Sequence, residues 1–197
     1  FLLALMYGTT VTGWVALAQR VLVLPLNLVA NSAARVYLSE AATAAQARPE
    51  QLPRLLKSML ASMFALAFPY VATLAVVGPA VFPVVFGSSW GEAGIYARLL
   101  AVMVLFQNLA SPVSGTLDVL ERQDLNLAGE VVRAAVMLGT VALARHLHLA
   151  PRLGVALLSA AGTVSQLVLL GSCIYAVWAW RVRGYQRSTG CQRTEAR

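Results

Sequence analysis

Charge is what this sequence has least of. Only 12% of its 197 residues are charged, eight of them acidic, whereas a soluble domain carries about a quarter. So little charge cannot clothe a water-facing surface, and the 59% hydrophobic content with a mean hydropathy of +0.71 excludes an ordinary soluble fold. Cysteine is nearly absent. Cys173 falls in an apolar segment and Cys191 in a polar tail, which gives neither a disulfide framework nor a metal-ligand set. His146 and His148 alternate in a loop with no acidic or thiol partner nearby, so no metal is expected. GxSxG, HExxH, a glycine-rich phosphate loop and a close carboxylate pair within an apolar run are all missing. No catalytic residue and no cofactor is therefore assigned. Lysine is scarce too: fourteen of the fifteen cations are arginine.

The net charge of +7 would suit a nucleic-acid binder, but the arginines stand between and after long apolar runs. That is how membrane topology is written, so no nucleic-acid partner is expected. Phe1–Met6 is too short to cross about 30 Å of hydrocarbon, and it ends at Tyr7-Gly8-Thr9-Thr10. It reads as the last turns of an earlier helix, in a chain that has lost an N-terminal part. Spans follow at about 11 into the 30s, 55–77, 93–117, 126–144 and 153–180. The first continues as helix to about Ala45, beyond the bilayer. Pro69 kinks the second, and Gly78-Pro79 with Pro83 end it, so that VFPVVFG dips along the interface. Loops are expected at 46–57, 118–124 and 145–152.

The expected fold class is all-α: a polytopic membrane protein with five complete transmembrane helices and the end of a sixth. Residues 1–181 form the helix bundle, and 182–197 form a basic, disordered tail. Arg48, Arg54, Lys57, Arg122 and the five tail arginines gather on one side, against Arg98, Arg145 and Arg152 on the other. The bias puts the C-terminus in the cytoplasm.

The stretch from Tyr7 to Glu40 holds the main candidate site. Arg20, Asn27, Asn31 and Arg35 fall within about 80° of one another on a helical wheel. Arg20 lies about 13 Å below Val11, close to the bilayer midplane. An arginine there costs about 2.5–3.5 kcal/mol on insertion scales, so it should face protein or water. Two readings stay open: an anion site in a cavity, suited to the guanidinium fork, or a structural arginine paired with Glu130 or helix carbonyls. Arg35 reaches the headgroup level, where snorkelling serves as well as a cavity role. Gln107, Asn108, Glu130 and Arg133 are further polar candidates for a cavity wall. Glu130 and Arg133, at i,i+3, also fit a self-neutralised pair. Ser159, Thr163 and Gln166 make a polar stripe on the fifth span, of the kind that often joins helices.

In YGTTVTGWVALAQRVLVLPLNLVANSAARVYL, the positions Gly8, Gly13, Leu17, Ala18, Arg20 and Pro25 resemble a segment of bacterial polysaccharide exporters. These are the lipid-linked oligosaccharide flippases of the multidrug/oligosaccharidyl-lipid/polysaccharide superfamily. Phe86, Gly87, Trp90, Ala93, Arg122 and Gln123 resemble a second stretch of the same family. The resemblance implies one bundle, the C-terminal half, of a two-bundle transporter in the inner membrane, with the N-terminal bundle missing. It implies translocation of a polyprenyl-pyrophosphate-linked oligosaccharide by alternating access, the pyrophosphate meeting Arg20. Competing readings are a membrane-embedded envelope-glycan enzyme (a polymerase or ligase) and a structural membrane subunit. The former should show a large exterior loop, and the exterior loops here are short.

Overall fold

The computed structural model describes the backbone of residues 2–119 and 123–195, with side chains over 3–44, 47–48, 50–111 and 126–178. Five α-helices account for nearly all of it: α1 (Leu2–Ala47), α2 (Leu52–Phe86), α3 (Gly91–Val119), α4 (Gln123–His146) and α5 (Pro151–Glu195). All five contain a stretch long and apolar enough to cross a membrane. There is no strand among the described residues. Leu28, Val76, Val84, Leu127, Val164 and Trp178 stand exposed, as side chains that face lipid rather than water should.

Gly8 divides α1. Its φ of +82° and ψ of 173° break the helix where Tyr7-Gly8-Thr9-Thr10 predicts an end, in a conformation that a residue with Cβ rarely adopts. From Thr9 the helix is continuous through Pro25 to Ala47, so the extension expected to about Ala45 is helical. A single turn at Pro49–Gln51 leads into α2, which carries Pro53 in its first turn.

The expected end of the second span near Val77 is corrected. α2 runs unbroken through Pro69, Pro79 and Pro83 to Phe86, and VFPVVF continues the helix as far as Gly87. Proline removes one N–H and so frees the carbonyl four residues earlier. In hydrocarbon the chain has no water to turn to, so it stays helical where a neighbour supplies a donor. Pro79 frees the carbonyl of Ala75, and Arg98 of α3 fills that vacancy with Nε at 2.8 Å, its second branch reaching Val76 at 3.4 Å. The same device appears in α1: Pro25 frees the carbonyl of Val21, which accepts the Tyr70 hydroxyl of α2 at 2.6 Å.

α3 is the central helix. Two thirds of its apolar window is buried (67%), against 6% for α4, and it packs on α1, α2 and α5. The α2–α3 crossing is close because Gly94 meets Gly78-Pro79; a Cβ on Gly94 would lie 2.6 Å from the Gly78 carbonyl oxygen. α4 sits at the periphery, resting chiefly on α5 and scarcely touching α1. At the end of the bundle that holds the α2–α3 and α4–α5 turns, Arg152 pairs with Glu92 at 2.6 Å and Trp14 donates to the Ser89 carbonyl at 3.0 Å. The backbone of α5 continues as helix to Glu195, through the segment for which composition predicts a disordered tail. The 118–124 loop expectation lies in part outside the described residues.

Candidate polar sites of the bundle

α1 carries polar groups in two directions. Its packed face is Val15, Ala18, Leu22, Leu26 and Ala30, all buried against α3 and α2. On a wheel of 100° per residue, Ala18 and Leu22 lie about 160° from Arg20. Arg20, Asn27, Asn31 and Arg35 are accordingly exposed, on a stripe that looks away from the other four helices. Arg20 makes no hydrogen bond or ion pair among the described residues, so the pairing with Glu130 is not made. Glu130 instead takes Arg133, at 3.0 Å and one turn away on α4.

Gln19, one residue before Arg20, stands 100° around the helix, toward α4. It helps to line a cleft of about 330 Å³ between α1 and α4, floored by α3 and α5. The polar walls are Gln19, Gln107, Glu130, Arg133 and Gln166. Gln166 is only 5% exposed, yet it makes no hydrogen bond among the described residues; neither do Gln107 and Gln19. Gly162 gives the floor its shape, since a Cβ there would meet the sulfur of Met103 at 2.5 Å.

Three of the four further candidates, Gln107, Glu130 and Arg133, therefore meet at one cleft. The fourth does not line it. Asn108 is buried and turns back on its own helix, donating to the Val104 carbonyl at 3.0 Å and leaving its Oδ1 without a partner. The Arg20 stripe and the cleft are separate places. Sequence reasoning passed over Gln19 because it stands in the shadow of Arg20. A carboxamide inside an apolar run was the available signal. On the expected stripe of α5, the Thr163 hydroxyl turns back on its own helix, donating to the Ser159 backbone carbonyl at 2.8 Å, and Ser159 is buried.

Residues 1–95 match the family model described as "Polysaccharide biosynthesis protein". No curated protein and no solved structure gives a match. The matched stretch holds α1 with its polar stripe, α2 and the start of α3.

Proposed function

We propose, from the match of residues 1–95 to the family model described as "Polysaccharide biosynthesis protein", that this chain is one bundle of a lipid-linked oligosaccharide flippase. In this reading the passenger is a polyprenyl-pyrophosphate-linked glycan of the cell envelope. It crosses the inner membrane as two bundles rock about a site near mid-bilayer. The C-terminus lies on the cytoplasmic side, as the arginine bias requires. The missing wall of the cavity is supplied by an N-terminal bundle of the same transporter.

One observation carries the reading. Arg20 stands exposed halfway along an apolar helix, on a polar stripe opposite the packed face, with no partner among the described residues. A guanidinium at that depth is tolerable only where another polar surface or an anion meets it. Its fork suits phosphate oxygens, and Asn27 and Asn31 on the same stripe add donors and acceptors for hydroxyl-rich sugar. Arg35 extends the stripe toward the headgroups.

The test is export by cells that depend on this protein. Arg20→Ala is expected to cut glycan export at least about tenfold at normal membrane levels, the loss of one charge-assisted contact. Arg20→Lys, which keeps the charge without the fork, should fall between. Normal export by Arg20→Ala at normal membrane levels would remove the anion site.

A further inference from the structure

The start of α2 and the far part of α5 come together at the bundle end opposite Ser88–Trp90. Between them lies a groove of about 290 Å³, walled chiefly by Leu56 and Leu60 of α2 and by Ile174, Val177 and Trp178 of α5. Its one charged lining residue is Lys57, the only lysine of the chain. Lys57 is exposed and makes no hydrogen bond or ion pair among the described residues. No carboxylate lines the groove, and Glu50, in the turn before α2, stands outside the lining.

The level of the groove follows from α5, whose apolar stretch runs over Pro151–Trp178. Centred on that stretch, a hydrocarbon core of about 30 Å closes near Ile174 at 1.5 Å per residue. Trp178 then stands about 5 Å outside the core, at the headgroup level where indoles concentrate. Helical side chains lean toward the N-terminus of their own helix, and α2 and α5 run in opposite senses. Lys57 therefore leans outward, toward the headgroups, whereas Trp178 leans inward over Ile174. Leu60 lies about 4.5 Å deeper than Lys57 along α2. A cation at the headgroup level with an apolar trough beneath it fits a phospholipid, phosphate on Lys57 and one acyl chain against Leu60, Ile174 and Trp178.

Charge selects the rest of the head. Arg54 precedes Lys57 by one turn, and Arg181 is the next position beyond Val177 and Trp178 on the same face of α5. An ethanolamine or choline cation would enter this collar of positive charge with no carboxylate in the lining to receive it. A glycerol head adds no cation and meets no such repulsion. We propose that the groove between α2 and α5 binds an anionic phospholipid with an uncharged head, of the phosphatidylglycerol kind, in the leaflet at this end of the bundle. The site is distinct from the Arg20 stripe and does not rest on the transported substrate. α2 and α5 touch each other only lightly, and the bound chain joins them.

Native mass spectrometry of the protein, purified in detergent and stripped of lipid, tests this with dioleoyl phosphatidylglycerol, phosphatidylethanolamine and phosphatidylcholine. Phosphatidylglycerol is expected to bind at least about fivefold more tightly than the other two, the worth of one cation at a membrane surface. Lys57→Gln should bring the three lipids within about twofold of one another. Since Lys57 is exposed and unpaired among the described residues, this variant should fold. Ile174→Trp, which fills the trough, should weaken all three lipids. Arg48→Gln removes a cation at the same end that does not line the groove, and it should leave the preference intact. Equal affinity for the three heads, an unchanged preference in Lys57→Gln, or an equal loss in Arg48→Gln would each overturn the site. So would a dimer whose interface covers the groove with no lipid retained. Arg20→Ala should bind phosphatidylglycerol as the parent does, so failure here and failure of the export test are told apart.

Discussion

Single carbonyls decide which side chains tie these helices together. Val21 and Ala75 each lose a backbone donor to a proline four residues on, and each is met by a side chain from another helix, Tyr70 and Arg98. The arrangement turns a local defect into an interhelical bond, because in hydrocarbon the freed carbonyl has no water to accept. Tyr70→Phe removes the donor and leaves the Val21 carbonyl unsatisfied, and should destabilise the bundle by about 1–3 kcal/mol. In a Pro25→Ala background the helix regains its own N–H, and the same substitution should cost less than about 0.5 kcal/mol. Reversible unfolding in mixed micelles, read as a double-mutant cycle, measures the difference. An equal cost in both backgrounds would show that the hydroxyl matters for some other reason.

Among the helices, α3 is the element on which the others are hung, and its contact with α2 is the tightest. That crossing rests on Gly94 lying against Gly78 and Pro79, where an added methyl meets backbone rather than a yielding side chain. Gly94→Ala should therefore destabilise by about 1–3 kcal/mol, as overpacking does. Gly139 of α4 has nothing within 4 Å of an added Cβ, so Gly139→Ala should be neutral or slightly stabilising through helix propensity. Thermal unfolding of the two variants side by side checks the contrast. A harmless Gly94→Ala would mean that α2 and α3 can slide apart without loss. α4 is the opposite extreme, exposed to lipid on most of its surface and held mainly by α5.

At the scale of the whole molecule, the polar features sort by direction rather than by sequence. One stripe of α1 looks outward, and one wall of the same helix looks into the α4 cleft. The proposed orientation has a direct check. In a background lacking Cys173 and Cys191, Ser88→Cys should react with a membrane-impermeant maleimide in intact cells. Ser39→Cys, near the opposite end of the bundle, should react only after the membrane is opened. The reverse pattern would invert the orientation. The Glu92–Arg152 pair at the Ser88 end is exposed, and it contributes at most about 1 kcal/mol to holding α3 against α5.

By itself the sequence determined that this is an all-helical membrane protein, and it located the break at Gly8, the five spans and the Glu130–Arg133 pair. Those features follow from apolar run length, glycine's access to positive φ and the i,i+3 spacing, all of which act within a few residues of one another. The family resemblance was also legible, because its motif lies within one helix and the turn before it. Only the tertiary structure decided that α2 continues past Pro79, since the donor that rescues it comes from Arg98, twenty-three residues away on another helix. It likewise separated Gln19 from Arg20, joined Gln107 and Gln166 to the α4 pair, and turned Asn108 aside. The physical reason is common to all of these. A helix fixes the angle between its own side chains, but which angle meets protein and which meets lipid is set by the neighbours packed against it.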